Sequence, residues 1–163
     1  MQDYIISCSS TADLSKEHFE RMNVPYVCFH FTLDGKTYPD DLGQSVPFDK
    51  FYRMMAEGSS TSTSQVNIDE FIEFFTKLLD TGKDILHIEL SSGLSGSYNS
   101  ACAAADILRE KYPERKIYVV DSLGASSGYG LIVHTLAEKR AAGMGIDELH
   151  EWIEKNKLRM HHW

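Results

Sequence analysis

The stretch "HIELSSGLSGSYNSACAAADIL", His87–Leu108, gives the clearest indication of the fold of this protein. It begins as an apolar run, passes through a turn of serines and glycines, and becomes rich in alanine. This order is typical of a buried β-strand that leads into an α-helix through a hydroxyl-lined turn. Because such turns and helix N-termini hold anions, the stretch raises two questions: which anion it meets, and whether that anion is bound or attacked.

Strand and helix patterns alternate along the rest of the chain. Apolar runs at residues 4–8, 83–90 and 117–121 predict strands, and helical patterns with an apolar face lie between and after them. The segment "VPYVCFHFTLDGKTYPD", residues 24–40, predicts a hairpin that turns at Asp34–Gly35. The alternation predicts an α/β domain with a parallel sheet and helices on both faces.

Local signals predict several helix boundaries. Ser15 is a predicted N-cap, and Asn67 with Glu70 fits a variant capping box. Pro47 suits the first residue of a helix. The helix that follows is predicted to carry one apolar face, made of Phe48, Phe51, Tyr52 and Met55.

Composition excludes several classes of protein. The formal net charge of -8 and the lack of a basic run argue against a binder of nucleic acid or of membrane surfaces. No apolar run approaches the roughly 18 residues of a membrane span, so we expect no integral membrane contact. Residues 1–8 lack the features of a signal peptide. Cys8, Cys28 and Cys102 form no C-x-x-C pair, which favours buried thiols and a cytoplasmic location.

The end of the sequence, "LHEWIEKNKLRMHHW", has no polar tail. It stops on three large residues, which predicts that residues 1–163 form one domain, cut just before a second domain. Metal binding by His161 and His162 is a weaker interpretation because no third ligand is near, so we expect no metal site.

Small hydroxyl residues cluster where predicted strands end or helices begin. In parallel α/β sheets, ligands bind beyond the carboxyl ends of the strands. N-caps and turns ordinarily explain a single cluster, but several clusters that meet at one edge favour a shared binding site. The clusters lie at residues 7–11, 59–64, 91–97 and 122–127.

The residues around these turns limit the nature of the anion. "GLSGSYNS" and "GASSGYG" have no Lys or Arg beside them, and they match neither a Walker A loop nor G-x-G-x-x-G. A multiply charged phosphate is therefore disfavoured, although a sugar phosphate stays open as an alternative. A single carboxylate fits best, because one or two hydroxyls and a helix N-terminal N–H suffice for one charge.

A serine hydrolase is the other alternative. Residues 93–97 nearly match the nucleophile elbow G-x-S-x-G, but the last position is Ser97. The glutamates on helical patterns are interpreted as solvated charges, so no catalytic acid–base pair is expected. Four histidines lie in predicted strands or helices and not in strand-end loops, where a triad histidine is expected: His30, His87, His134 and His150.

Five motifs resemble the DegV family, which includes the FakB-type fatty-acid-binding subunits of the bacterial fatty acid kinase. They occur in the family's order and cover nearly the whole chain, and the pair "TSQ" and "SSGLSGSY" is specific. The motifs are "SSTADL" at 9–14, "DGKTYPDD" at 34–41, "TSQ" at 63–65, "SSGLSGSYNSA" at 91–101 and "DSLGASSGYG" at 121–130.

The resemblance implies one long-chain fatty acid, such as palmitate, as the ligand, and no cofactor. Thr63 and Ser95 would hold its carboxylate with help from the Gly96 N–H, and Ser64 and Ser126 complete the candidate ligand-binding set. The acyl chain would lie in an apolar tunnel shielded by a second domain. A separate kinase subunit would phosphorylate the bound carboxylate, so the protein would be a carrier and not an enzyme.

Two departures from the family pattern matter. Ser9 stands where many members have Asp, which argues against transferring a role of that loop in partner docking. The family's C-terminal domain, which completes the tunnel and contributes a histidine near the carboxylate, has no counterpart in residues 1–163. We therefore expect this chain alone to bind fatty acid weakly or not at all.

Overall fold

The computed structural model describes residues 4–160. His161, His162 and Trp163, on which the expectation of a following domain rests, lie outside the described residues. The strands are β1 (Tyr4–Ser9), β2 (Tyr26–Val27), β3 (His30–Leu33), β4 (Lys36–Pro39), β5 (Thr61–Ser64), β6 (Asp84–Glu89) and β7 (Ile117–Asp121). The α-helices are α1 (Lys16–Met22), α2 (Phe48–Ala56), α3 (Ile68–Leu79), α4 (Ser97–Lys111), α5 (Ser126–Ala141) and α6 (Ile146–Asn156).

Four parallel strands form the main sheet, in the order β2–β1–β6–β7. Ile6 of β1 lies opposite Leu86 of β6, and Ile88 of β6 lies opposite Val120 of β7. All four side chains are fully buried. The predicted parallel α/β fold is therefore confirmed, and β1 and β6 form its centre.

Helices cover both faces of the main sheet. Phe19 of α1 and Leu136 of α5 belong to the core on one face, together with residues of α6. Phe71 of α3 and Leu108 of α4 belong to the core on the other face. Each fully buried side chain of this size contributes about 1.5–3 kcal/mol relative to an exposed position, so both helical layers stabilise the sheet.

Side-chain hydrogen bonds fix the start of two helices. Ser15 accepts from the His18 N–H at 3.2 Å and caps α1. Asn67 accepts from the Glu70 N–H at 3.1 Å, and the Glu70 carboxyl accepts from the Asn67 N–H at 2.8 Å. Both predicted caps are confirmed. Pro47 differs by one position, because it is the N-cap of α2 and precedes the first helical residue.

A second, antiparallel sheet has the order β4–β3–β5. The hairpin turns at Asp34 and Gly35, whose φ angles of 49° and 79° suit a two-residue type I′ turn, so the predicted hairpin is confirmed. The polar segment 59–64 contributes β5, which the sequence did not predict as a strand. Its hydroxyl residues show no apolar alternation, and backbone pairing with β3 makes them a strand.

The predicted apolar face of α2 is present, but the core does not cover it. Phe48 is 57% exposed and Tyr52 is 65% exposed, and no residue of α2 is buried. Phe51 meets the ring of Phe31 edge-on, with 5.2 Å between the ring centroids. The apolar face of α2 therefore lies beside the antiparallel sheet, where a cavity opens. Within residues 4–160, no helix is long and apolar enough to cross a membrane.

Candidate functional site

A cavity of about 660 Å³ lies where the loops after β1 and β6 meet α2 and the antiparallel sheet. Its volume falls within the range of about 300–1,000 Å³ that is typical of small-molecule sites. One side of the cavity, which we call the open rim, consists of Thr63, Ser64, Gln65, Ser95 and Gly96. Another side, which we call the aromatic wall, consists of Phe29, Phe31, Phe48, Phe51 and Tyr52.

Strand β5 places Thr63 next to the aromatic wall. Thr63 is paired with Phe31 of β3, and residues directly opposite each other in an antiparallel pair share one face of the sheet. The ring of Phe31 also stacks on Tyr38 at a centroid distance of 5.6 Å. A polar hydroxyl and an apolar surface thus stand side by side, as a ligand with a polar head and an apolar body requires.

The turn after β6 supplies the second part of the open rim. The Leu94 and Ser95 N–H groups both donate to the Ser91 carbonyl, which closes the turn before α4 begins. Gln65 reaches this turn from the end of β5. Its Oε1 accepts from the Gly96 N–H at 2.9 Å and from the Ser95 hydroxyl at 3.2 Å.

The direction of these hydrogen bonds follows from their chemistry. A backbone N–H can only donate, so the Gln65 atom that faces Gly96 is the amide oxygen. The Ser95 hydroxyl accepts from the Ser97 N–H at 3.1 Å, which leaves its own proton for Gln65. Two donors beside the N-terminus of α4 therefore converge on a single oxygen, an arrangement that also suits a carboxylate oxygen.

The structure brings four of the five predicted ligand-binding residues to one cavity. Thr63, Ser64, Ser95 and Gly96 all line it. Ser126 does not line it and is exposed at the start of α5, with a φ of 48°. The cavity opens beside β1 and β6, and the hydroxyl cluster that follows the edge strand β7 contributes no lining residue.

The charged groups near the cavity are mainly acidic. Within residues 4–160, no Lys or Arg lines it, whereas Asp13 and Asp40 do. Burial raises the pKa of Asp40, although a hydrogen bond with Ser10 opposes the rise. His30, on the cavity wall, lies 3.1 Å from the Glu70 carboxyl. This distribution of charge disfavours a multiply charged phosphate as the ligand.

A second group of hydroxyl-bearing residues lies in the core. Its centre is Glu89, which was not predicted from the sequence. Glu89 Oε1 accepts from the hydroxyls of Ser9 at 2.9 Å and Ser97 at 3.0 Å, and its Oε2 lies 2.9 Å from His87 Nε2. The other ring nitrogen of His87 lies 3.0 Å from the Ser7 hydroxyl. We call this fully buried group the sealed cluster: Ser7, Ser9, His87, Glu89 and Ser97.

A sequence signal for the sealed cluster did exist. His87 and Glu89 are two residues apart in the strand, so both project from the same face of the sheet. The segment "KDILHIEL" was interpreted as one continuous apolar run, which left both residues unexplained. A buried strand that contains two ionisable groups on one face requires internal hydrogen-bond partners, and nearby serines provide them here.

The structure provides no support for the serine hydrolase alternative. Among residues 4–160, the hydrogen bonds of the Ser95 hydroxyl involve Gln65 and Ser97 and no histidine. His87 and Glu89 are fully buried and make hydrogen bonds with each other and with buried serines, so they do not face the cavity.

The thiols and the possible metal ligands of residues 4–160 were located relative to the cavity. Cys8, Cys28 and Cys102 are free, and burial raises the pKa of each, that of Cys28 to about 11. Raised pKa values keep these thiols protonated and weakly nucleophilic. Among the residues that the structure describes, no group of three or more His, Cys, Asp or Glu is placed to hold a metal ion.

The fold and the cavity define an α/β domain with a parallel sheet, and comparison with known proteins gives its family. The sequence model of the DegV family, described as uncharacterised protein, matches residues 5–163. The chain therefore belongs to the DegV family. It is 36% identical to a DegV domain-containing protein of Clostridium perfringens, over 100% of this chain and 56% of that protein.

Two solved structures share the fold. A stearic-acid-binding protein from Eubacterium ventriosum has a TM-score of 0.83 at 26% identity, with 93% of this chain and 52% of that chain covered. A DegV lipid-binding protein from Thermotoga maritima has a TM-score of 0.83 at 28% identity, with 98% and 55% covered. The chain thus spans about half the length of the relatives it matches.

Proposed function

We propose that this protein binds one long-chain fatty acid, such as palmitate, by its carboxylate. The observation that carries the proposal is the pairing of the open rim with the aromatic wall in one cavity. Thr63 and Ser95 are the proposed carboxylate donors, the Gly96 N–H assists them, and Ser64 lies beside them. The lipid-binding relatives with the same fold support this choice of ligand.

The proposed head-group site suits one negative charge. Hydroxyl and backbone N–H donors hold a carboxylate by hydrogen bonds, and the N-terminus of α4 adds a favourable dipole. A sugar phosphate carries more charge, and no Lys or Arg lines the described part of the cavity to balance it. The site therefore favours a carboxylate over a phosphate.

The acyl chain would supply most of the affinity. Each CH₂ group that leaves water contributes about 0.8 kcal/mol, so a chain of about sixteen carbons outweighs the two hydroxyl contacts. Phe48 and Tyr52 of the aromatic wall are largely exposed in this chain and are available to cover an acyl chain. The hydroxyls of the open rim would then set the orientation of the ligand and the choice of its head group.

We further propose that a second domain completes the site. The cavity is open, and the relatives are about twice as long as this chain. A cover over the exposed face of α2 would remove the rest of the acyl chain from water. On this proposal, residues 1–163 alone bind palmitate weakly or not at all.

The proposed biological role is that of a cytoplasmic carrier and not of an enzyme. The family resemblance supports presentation of the bound carboxylate to a separate fatty acid kinase subunit, which would convert it to an acyl phosphate. No nucleic acid or integral membrane contact forms part of this role. A carrier needs donors that position the carboxylate without attacking it, and the hydroxyls of the open rim meet this requirement.

The proposal is tested by titrating delipidated full-length protein with palmitate, for wild type and for a Thr63→Ala/Ser95→Ala double variant. Each lost hydrogen bond is expected to weaken binding by about 0.5–1.5 kcal/mol, or up to about 3 kcal/mol for a charged acceptor. Ser62→Ala and Ser92→Ala are matched controls, because both serines are exposed and neither lines the cavity. An unchanged affinity in the double variant would contradict the assignment.

Parallel measurements distinguish fatty-acid binding from a sugar-phosphate site and from a serine hydrolase. Stabilisation by a phosphorylated sugar and not by palmitate would favour a sugar-phosphate site. Labelling of Ser95 by an acylating probe would favour a hydrolase. Native mass spectrometry of the full-length protein purified from cells is expected to show the added mass of a co-purified fatty acid.

A further inference from the structure

Gln65 occupies the donors that the proposed ligand needs. Its amide oxygen accepts from the Gly96 N–H at 2.9 Å and from the Ser95 hydroxyl at 3.2 Å. An amide oxygen and a carboxylate oxygen have similar size and accept in similar directions. Building on the proposed function, we propose that Gln65 is an internal competitor of the head group, which the ligand carboxylate must displace from Ser95 and Gly96.

The local structure restricts this displacement to the side chain of Gln65. The residue before it, Ser64, is held in β5 opposite His30, and the residue after it, Val66, is fully buried. The backbone of Gln65 is therefore anchored on both sides. Its side chain is exposed, so a rotamer change delivers the released amide into water, where it finds new hydrogen-bond partners.

Gly96 permits the close approach of Gln65. A Cβ atom at position 96 would lie 3.0 Å from both the oxygen and the nitrogen of the Gln65 amide. This distance is too short for an undisturbed contact, so another residue at this position would push the amide away. The absence of a side chain at Gly96 thus leaves its N–H open to either Gln65 or a ligand.

Competition by Gln65 would reduce the affinity of all ligands that use the Ser95 and Gly96 donors. When the binding-competent state is only partly populated, the apparent dissociation constant rises by the inverse of that population. Gln65 would therefore weaken every ligand that uses the Ser95 and Gly96 donors by the same factor, whatever its head group. In a carrier, such a competitor eases release of the bound acid.

The test compares palmitate with its neutral analogue palmitamide on delipidated full-length protein. Gln65→Ala is expected to tighten both ligands by the same factor, about three- to tenfold, because the net free energy of replaced neutral hydrogen bonds is of this order. A direct contact between Gln65 and the ligand predicts the opposite sign. An equal gain for a charged and a neutral head group is the signature of competition for one site.

Gln65→Glu provides the complementary variant. It tethers a carboxylate next to the same two donors, which bind a charged acceptor more strongly than an amide. Palmitate binding is expected to weaken by tenfold or more. The matched controls are Gln44→Ala and Gln44→Glu, because the Gln44 amide contacts Lys16 and Asp41 and does not line the cavity.

The outcomes separate this inference from the proposed function. Tighter binding of both ligands by Gln65→Ala, with unchanged binding by the Gln44 variants, supports the inference. Equal or weaker palmitate binding by Gln65→Ala, while wild type binds palmitate, overturns the inference and leaves the function in place. Absence of palmitate binding by wild type overturns both.

Discussion

Ser95 and Ser97 lie two residues apart in the same turn, yet they belong to regions with opposite properties. Ser97 is fully buried and donates to Glu89 at 3.0 Å in the sealed cluster. Ser95 is half-buried on the open rim and donates to Gln65, an exposed side chain that is able to move. One serine therefore helps to hold the fold, and the other is available to a ligand.

Structural hydroxyls differ from hydroxyls that are available for binding in the nature of their hydrogen-bond partners. In the sealed cluster, hydroxyl and carboxyl groups satisfy one another, and the described residues contain no buried side-chain polar atom that lacks a partner. On the open rim, donors converge on an acceptor that water can replace. The sequence motif is the same in both cases, so the fixed or replaceable nature of the partner is the deciding observation.

The largest expected effect comes from removing the centre of the sealed cluster. Glu89→Ala leaves the hydroxyls of Ser9 and Ser97 and the ring of His87 without their shared partner in the core. We expect the free energy of unfolding to fall by about 3–5 kcal/mol, measured by urea denaturation. Glu89→Gln keeps the shape of the side chain and should cost less. A loss below about 1 kcal/mol for Glu89→Ala would show that the sealed cluster does not stabilise the fold.

The next largest expected effect is the difference in unfolding free energy between the Ser97→Ala and Ser95→Ala variants. Ser97→Ala removes a buried donor to Glu89 and should cost about 1–3 kcal/mol of unfolding free energy. Ser95→Ala removes contacts at a half-buried position that water can restore, so about 1 kcal/mol or less is expected. The measurement is parallel urea denaturation of both variants. Equal losses, or a larger loss for Ser95→Ala, would remove the distinction between the two regions.

Hydrogen exchange distinguishes the sealed cluster from the open rim without mutation. The Leu90 N–H donates to Glu89 and the Ser9 N–H donates to Tyr129, so both should exchange slowly with or without palmitate. The Gly96 N–H, on an exposed residue, should exchange faster and slow down when palmitate binds to the full-length protein. Equal protection of all three amides by palmitate would indicate a global effect and not head-group binding at the open rim.

The smallest expected effect concerns Asp40 at the edge of the cavity. Burial raises its pKa above the ordinary value of 3.8, so the folded protein holds this proton more tightly than the unfolded chain does. The contribution of Asp40 to the free energy of unfolding is therefore present at low pH and is lost as pH rises through the folded pKa. As pH rises above the ordinary carboxyl pKa of 3.8, the free energy of unfolding of wild type should fall relative to that of Asp40→Asn. A rise in the unfolding free energy of wild type relative to Asp40→Asn would contradict a raised pKa of Asp40 in the folded protein.

Features that depend on neighbouring residues in the sequence were predictable. Asn67 and Glu70 form a cap because they are three residues apart, and Asp34–Gly35 turn because both accept a positive φ. The alternation of strands and helices was likewise sufficient to predict the parallel sheet. For the cap and the hairpin turn, the physical cause operates within a few residues of the chain.

Features that depend on distant partners were not predictable in the same way. Strand β5 exists because β3 pairs with it, and the serine partners of Glu89 come from β1 and α4. For the site, Thr63, Ser64, Ser95 and Gly96 were predicted and share one cavity, whereas Ser126 was predicted to join them and does not line that cavity. Gln65 was noted as part of a motif, but its contact with Gly96 required the fold.

A crystal structure of the full-length protein with bound palmitate would show whether the open rim binds the carboxylate. We expect a carboxylate oxygen at a hydrogen-bond distance of about 2.5–3.0 Å from the hydroxyls of Thr63 and Ser95, the acyl chain against the aromatic wall, and the sealed cluster unchanged. A carboxylate that binds elsewhere, with both hydroxyls still facing water or Gln65, would contradict the claim that the open rim is the ligand site.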